Sequence, residues 1–374
     1  MENVDFETIR RVVEDKFLLD IAEKVKAGER IIDEEGLALY EKAPLPFLMF
    51  LATYVKERIS GKNVFFNKNF HIEPTNICLY KCRFCSYRRD KGEPGAWDYS
   101  IEEMLDIARS FAGKNVTEVH IVGGVHPDHD LYFYGELIRE IKKILPGIHV
   151  KAFTAIELNY MIKKAKLGLE EGLLKLKEFG LDSIPGGGAE IFDKKVRKEI
   201  CPEKGPADLW LKVHRTAHKL GIPSNATILY GHVETYKHRI DHMRQLRELQ
   251  EETHGFNAYI PLKFKKENNK LSYIGEVSIV EDMRNFAVSR IYLDNIKHIK
   301  AYWPMLGKEE TMLALFAGAD DIDGTIDDTT KIYSMAGSEE TKPVMTEAEM
   351  VRMVKKAGYV PVERDSVYNV IKVY

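Results

Sequence analysis

Cysteine is scarce in this chain of 374 residues: there are 4, and Cys78, Cys82 and Cys85 fall in one run, Cys-Leu-Tyr-Lys-Cys-Arg-Phe-Cys, leaving only Cys201 elsewhere. So few cysteines in so long a chain argue against a disulfide frame and for metal or redox chemistry. Charge of either sign is not in excess, the formal net charge being −3, so no basic field calls for nucleic acid or an anionic membrane surface. Long hydrophobic runs are missing too. The most apolar early stretch, Pro44 to Tyr54, is too short to span a bilayer. The acidic opening Met1-Glu2-Asn3-Val4-Asp5-Phe6-Glu7 lacks the basic start of a signal peptide. These absences give the expectation of a cytoplasmic protein with neither nucleic acid nor membrane as partner. What is present, 44% hydrophobic and 30% charged residues with no evident repeat or low-complexity segment, is a globular composition with a sizeable core.

Residues 1–65 lack strand signals and carry apolar residues at helical spacing over Val4–Ala27 and Asp33–Ser60, which reads as an N-terminal helical cap. From His71 onward the pattern alternates. Short β-rich runs are expected near Asn69–Pro74, Glu118–Val122, His149–Thr154, Ser183–Pro185, Ser224–Leu229, Ala258–Leu262, His298–Trp303 and Asp320–Asp323. Between them lie amphipathic helical stretches at Ile101–Phe111, Gly135–Leu145, Glu170–Phe179, Ala207–Leu220, Lys237–Thr253, Val280–Asn295 and Glu309–Ala317. The first opens with a capping box, Ser100 to Glu103. Eight βα units predict an α/β fold, a (β/α)8 TIM-type barrel over residues 66–330 and roughly 250 residues long. A six-unit open barrel is the alternative. Residues 331–374, with a helix over Thr346–Ala357 and a final apolar run, are expected to pack on the barrel.

The cysteine run follows the first expected barrel strand, and in such barrels active sites form at the C-terminal strand ends. Three thiolates can hold three irons of a [4Fe–4S] cube and leave the fourth open to a small molecule. Structural zinc instead wants four ligands, usually from paired C-x2-C units, and here only His71 offers a fourth at uneven spacing. An electron-transfer cluster wants four cysteines and would have to recruit Cys201.

Two glycine motifs also end strands. Gly123-Gly124 precedes His126, and paired glycines let backbone approach a ligand closely. Pro185-Gly186-Gly187-Gly188-Ala189-Glu190 is no phosphate loop, since no Lys-Ser/Thr follows. It reads as a side-chain-free wall, with Glu190 placed to bond a ribose or ammonium group or to serve as a helix N-terminal charge.

Cys78-x3-Cys82-x-Phe84-Cys85 resembles the signature loop of radical S-adenosylmethionine (SAM) enzymes. The resemblance implies a [4Fe–4S] cluster on Cys78, Cys82 and Cys85, SAM as co-substrate chelating the open iron, Phe84 near the adenine, and Gly123 and Gly124 beside the methionine amino group. Further runs resemble the menaquinone-pathway branch, the aminofutalosine synthases in particular. They are His71-Ile-Glu-Pro-Thr-Asn76, Gly123-Gly-Val-His126-Pro127, Lys151-Ala-Phe-Thr-Ala155, Pro185-Gly-Gly-Gly-Ala-Glu190-Ile-Phe192, Tyr230-Gly-His232-Val-Glu234-Thr235, His298-Ile-Lys-Ala-Tyr-Trp303 and Asp323-Gly-Thr325, of which the triple glycine with Glu-Ile-Phe and the Lys-Ala-Tyr-Trp run favour the aminofutalosine synthases. The implied reaction adds a 5′-deoxyadenosyl radical to 3-[(1-carboxyvinyl)oxy]benzoate, with aryl migration and loss of carboxylate. Cyclic dehypoxanthine futalosine synthase, which shares the Gly-His-Val-Glu-Thr run, and a non-catalytic iron–sulfur or zinc protein are the alternatives. Flavodoxin or ferredoxin would supply the electron.

A small aromatic dicarboxylate needs cations and a flat apolar wall. Candidates for its carboxylates are His232, Lys263, Lys300, Arg88 and Arg89; Tyr230, Tyr259, Tyr302 and Trp303 are candidates to flank the ring. His232 with Glu234, and His126, are the candidate catalytic groups.

Overall fold

The computed structural model of the chain describes residues 6, 11, 13–325, 330–338 and 343–374. Helix α1 (Lys16–Ala27) starts where the Asp15 carboxylate accepts from the N–H groups of Phe17 and Leu18, and ends at Gly28 in the left-handed region. The helix expected from Val4 is therefore interrupted at Val13–Asp15, and most of what precedes lies outside the described residues. The single helix expected over Asp33–Ser60 is two, α2 (Asp33–Lys42) and α3 (Leu45–Ser60). Pro44 is the cause: it holds Ala43 extended (φ −74°, ψ 131°), which no helix continues through. Strand β1 (Asn63–Asn67) comes next, built on Val64, Phe65 and Phe66, where only a helical cap was expected.

Each of the eight expected runs contains extended backbone, though the one expected over His298–Trp303 stops short because Trp303 opens a helix. They are β2 (Asn69–Ile72), β3 (Glu118–Ile121), β4 (His149–Ala152), the short pair Ser183–Ile184, β5 (Ser224–Tyr230), β6 (Phe256–Lys263), β7 (His298–Ile299) and β8 (Asp321–Gly324). Each neighbours the next in parallel: β2–β3–β4 form one ladder and β5–β6–β7 another. Single bridges, Lys151–Ser183, Ile184–Ser224 and Lys300–Asp321, link the rest. β8 pairs with β1. Since only Lys68 separates β1 from β2, the two ends of this parallel series meet along one stretch of chain.

Helices follow the strands: α4 (Ile101–Ser110), α5 (Leu131–Ile144), α6 (Ala155–Lys164), α7 (Leu169–Phe179), α8 (Lys194–Ile200), α9 (Ala207–Lys219), α10 (Tyr236–Thr253), α11 (Ile279–Tyr292), α12 (Trp303–Leu306) and α13 (Lys308–Ala314). Each amphipathic one buries a single stripe, such as Leu137, Ile138 and Ile141 of α5. α11 is buried on most sides because α3 and α2 cover it; Tyr40 donates to Asn285 Oδ1 at 2.6 Å, and Arg284 donates to Ala43 O at 2.7 Å. Ser60, ending α3, donates to Asp320 at 2.7 Å, just before β8 and so at the strand ends opposite the cysteine loop. After β8 come α14 (Glu347–Lys356), β9 (Val360–Arg364) and β10 (Val370–Val373). β9 pairs in parallel with β1, so the terminal strands extend the sheet. Among the described residues no helix is long and apolar enough to cross a membrane.

Candidate active site

The cysteine loop is fixed by its own hydrogen bonds. Trp97 Nε1 donates to Glu73 O at 3.1 Å, Thr75 Oγ1 to Trp97 O at 2.7 Å, and the Asn76 side chain both donates to Gly95 O and accepts from Trp97 N at 2.9 Å. Cys78, Cys82 and Cys85 are half-buried, and the Val125 N–H points at Cys78 Sγ from 3.3 Å. Burial pushes the thiols of Cys78 and Cys82 up from their ordinary pKa. Gly124 is needed beneath this loop: a Cβ there would run into the Ile77 carbonyl. Cys201, 1% exposed, lies at the end of α8, which the cysteine loop meets where Arg83 N donates to Ile200 O at 2.8 Å. The donor set is therefore three half-buried cysteines on one ordered loop, with a fourth, buried cysteine at the end of α8, and three soft ligands of this kind suit an iron–sulfur cluster.

Cys85 forms part of the wall of a cavity of about 250 Å³ inside the strand series. Gly123, Gly186 and Gly187 line it as well. Thr227 Oγ1 and Trp210 Nε1 donate to Gly186 O at 2.6 and 3.1 Å, pressing the triple glycine onto β5. A Cβ at Gly186 would stand 2.6 Å from Thr227 Cγ2, so the wall has room for no side chain there. Gly123 donates to Glu157 Oε1 at 3.0 Å; that carboxyl is pushed up to about 7 by burial. The cavity lining also carries charge: Lys151 meets Glu118 at 2.6 Å and Lys300 meets Asp323 at 2.6 Å. His71 and His120 also line it, and burial holds the first down to about 4 and the second well below its ordinary value, so both are neutral. Tyr302, Tyr333, Ile260, Leu262 and Ile332 complete an aromatic and apolar surface. Thr330, Ile332 and Tyr333 bring the stretch after β8 to the cavity lining, and Thr330 Oγ1 and Lys331 N donate to Glu73, ahead of the cysteine loop, at 2.8 and 3.0 Å.

The other residues singled out from sequence have these places. Gly188 is at φ +89° against Ile156, outside the cavity lining. Glu190, itself at φ 48°, pairs with Lys204, whose ammonium lies 5.3 Å over the Phe84 ring. Burial works against both charges of that pair; Lys204 holds Glu190 below its ordinary value, and Cys82, followed by Glu190, holds Lys204 above its own. His126 accepts the Asp128 N–H on Nδ1 at 3.1 Å, which puts its own proton on Nε2, 3.3 Å from Asp98. His129 faces the same carboxylate at 3.6 Å. A metal on His126 Nε2 would require the opposite tautomer, so Asp98, His126 and His129 read as a carboxylate beside two stacked imidazoles, with ring centroids 4.1 Å apart.

His232 and Glu234 do not line the cavity. Glu234 accepts from the backbone of Gly231 and His232 at 2.6 and 2.8 Å and from Arg239 Nε at 2.9 Å; burial opposes its charge, but His232 and Arg239 keep it below the usual range. His232 Nε2 is 3.0 Å from Leu229 O. Of the cation candidates, Lys300 alone lines the cavity, while Lys263 is taken up by Asp282 at 2.6 Å, Arg88 by Asp90, and Arg89 by the carbonyls of Ser86 and Arg88. Tyr302 lines it; Tyr230 donates to Asp282, Tyr259 is buried elsewhere, and Trp303 donates to Gly324 O. Sequence reading missed Lys151, His120, Asn225, Thr227 and Tyr333. The available signal was register: His71, His120 and Lys151 are direct cross-strand partners on β2, β3 and β4.

Comparison with known proteins bears on the family. Residues 72–246 match the radical SAM superfamily, and residues 253–374 match the CofH/MqnC C-terminal region. The aminodeoxyfutalosine synthase of Thermus thermophilus is 44% identical over 368 residues, 97% of this chain and 98% of that one. This chain is a radical SAM enzyme. Within the radical SAM superfamily it is also 39% identical to the 5-amino-6-(D-ribitylamino)uracil–L-tyrosine 4-hydroxyphenyl transferase of Methanopyrus kandleri, over 87% of this chain and 89% of that one. The cyclic dehypoxanthine futalosine synthase of Streptomyces coelicolor is 34% identical, over 96% and 90%. In fold it resembles the crystal structure of methylornithine synthase, with a TM-score of 0.73 at 19% identity, covering 91% of this chain and 97% of that one.

Proposed function

We propose that this radical SAM enzyme is an aminofutalosine synthase, joining the 5′-deoxyadenosyl group of SAM to 3-[(1-carboxyvinyl)oxy]benzoate, with migration of the aryl ring and loss of one carboxylate. The parallel series from β2 to β8 is read here as a closed (β/α)8 barrel. The observation that carries the proposal is the shared cavity, lined by Cys85, by the glycines Gly123, Gly186 and Gly187, and by Lys151, Lys300 and Tyr302. Cys78, Cys82 and Cys85 would hold a [4Fe–4S] cluster, which supplies the electron that cleaves SAM.

The rest follows from the residues. A primary carbon radical abstracts hydrogen from almost anything, so the pocket must exclude water and hold the alkene close. Val122, Ile260, Leu262 and Ile332 give that surface, with Thr330 and Tyr333 beside them. Lys151 and Lys300 each spend one donor on an internal carboxylate, and an ammonium has three. The donors left over suit the two carboxylates of the substrate, while Tyr302 and Tyr333, with ring centroids 5.3 Å apart, suit its ring. Extended identity with the Thermus enzyme supports the same substrate class.

The test is anaerobic reconstitution, reduction with dithionite and product identification by mass. An adenosylated, decarboxylated product from the enolpyruvyl benzoate is expected. 5′-Deoxyadenosine alone would favour the cyclase reading, and an adduct formed only from tyrosine and the ribitylaminouracil would favour the archaeal reaction.

A further inference from the structure

Cys85 borders two recesses. Inward it meets the substrate cavity; outward, with Cys82, it floors an open recess of about 440 Å³ on the protein surface. The cysteine loop is thus a partition with chemistry on one side and solvent on the other. The outer recess is lined by five cationic side chains, Lys81, Arg83, Arg88, Arg89 and Lys270, against two carboxylates, Glu93 and Glu267. Arg88 pairs with Asp90, Arg89 stands 4.0 Å from Glu93, and Glu267 lies 3.9 Å from Lys266. Among the described residues, the side chains of Lys81, Arg83 and Lys270 form no ion pair; Lys81 and Lys270 are exposed. The two sides of the recess are also stitched together, since Lys270 N donates to Arg83 O at 2.8 Å and Ser86 Oγ to Glu267 O at 2.6 Å. This positive concentration stands out on a chain whose net charge is −3.

We propose that this recess is the docking site for an acidic protein carrying a low-potential one-electron group, with Lys81, Arg83 and Lys270 as its steering charges. The proposal rests on the cluster reading given above. In the step it serves, the reduced carrier loses one electron and the cluster held by Cys78, Cys82 and Cys85 gains it; no bond is made or broken between the proteins. Charge complementarity is the argument for an acidic partner, because patches of one sign raise encounter rates and fix orientation, and they do so less as salt rises.

The experiment uses the reconstituted holoenzyme and a bacterial flavodoxin reduced by its NADPH-dependent reductase. Binding of oxidised flavodoxin is measured by calorimetry at low and at moderate salt, and SAM cleavage is driven in parallel by flavodoxin and by dithionite. Wild type should bind flavodoxin more weakly as salt rises. The triple variant Lys81→Glu, Arg83→Glu, Lys270→Glu should bind about 10-fold or more weakly. It should lose flavodoxin-driven cleavage to a similar degree and keep its iron and its dithionite-driven rate. If the triple variant loses iron, Lys81→Gln with Lys270→Gln, two exposed sites, is judged by the same criteria with a smaller shift in the same direction. Unchanged flavodoxin binding in an iron-replete variant, or an equal fall with both reductants, overturns the docking site alone. A wild-type protein that holds no iron, or that cleaves no SAM with dithionite, refutes the cluster reading and the docking site with it.

Discussion

Lys151 and Glu118 meet at 2.6 Å with side chains 7% and 2% exposed, so neither charge has water to fall back on. Removing one partner of such a pair leaves the other uncompensated at a cost of about 3–5 kcal/mol, whereas replacing both by apolar groups is often close to neutral. Lys151→Met should therefore destabilise by that order, and Lys151→Met with Glu118→Leu should recover most of it while product formation stays lost. Urea midpoints and turnover separate the two effects; wild-type turnover in the double variant would remove Lys151 from the substrate site. A second single-residue test concerns sulfur. Ala at Cys78, Cys82 or Cys85 should abolish SAM cleavage and deplete iron, and Cys201→Ala should retain iron, as read by iron analysis and EPR. If Cys201→Ala lost the iron, the buried thiol would be a ligand. The contrast in legibility has a physical origin. Cys78, Cys82 and Cys85 are neighbours in the chain, so their chemistry is local and readable. Lys151 and His120 become neighbours only through strand register, which sequence spacing does not carry. His232 and Glu234 were chosen for the chemistry of their side chains, yet the partners found for them are largely supplied by their own turn and by Arg239.

At the scale of elements, α6 shows how a helix start can be shared with the site. Thr154 Oγ1 accepts from Glu157 N, and Glu157 Oε2 accepts from Thr154 N at 2.8 Å, a capping box worth about 1 kcal/mol. The other oxygen holds the Gly123 N–H beside the cysteine loop, so one carboxyl fastens two strand ends. Burial lifts that carboxyl from 4.5 to about 7. Between those values the unfolded chain has released a proton that the folded protein keeps, so stability falls as pH rises through the window. Glu157→Gln removes this contribution. Between pH 5 and 7.5, wild type should lose up to about 3 kcal/mol more than the variant in urea unfolding; an equal loss in both would mean that Glu157 titrates like an exposed side chain. Sequence did not show α6, although Thr154 and Glu157 carry the spacing of a box, because the apolar run of β4 passes straight into it. The eight strand runs were readable from β-rich segments between amphipathic helices. The break between α2 and α3 turned on Pro44, and β1 was masked by apolar helical spacing on its N-terminal side.

Across the whole molecule, the chain's far end supplies a neighbour to its first strand. β9 lies parallel to β1 in register from Asn63 with Val360 to Phe66 with Glu363, and β1 in turn pairs with β8. The tail was expected to pack on the barrel, but this pairing was not readable: a strand's partner is set by topology, and β10, with Val370, Ile371 and Val373 exposed, looks by composition like a buried strand. Charge locks the arrangement. Arg364 of β9 donates to Asp321 of β8 through Nε at 2.6 Å, both side chains nearly devoid of solvent, and its guanidinium lies 4.2 Å over Tyr368, which stacks on His298 of β7 at 3.7 Å. One side chain from the tail therefore bears on β7, β8 and β9 together. If residues 331–374 fold as one unit with the strand series, Arg364→Met must strand Asp321 and weaken the whole molecule by about 3–5 kcal/mol. The expected result is a lowered, still single thermal transition, with iron binding and SAM cleavage lost at the same temperature as the fold. Two separated transitions, with cleavage surviving the first, would show instead that the terminal strands are an appendage which the catalytic part does without.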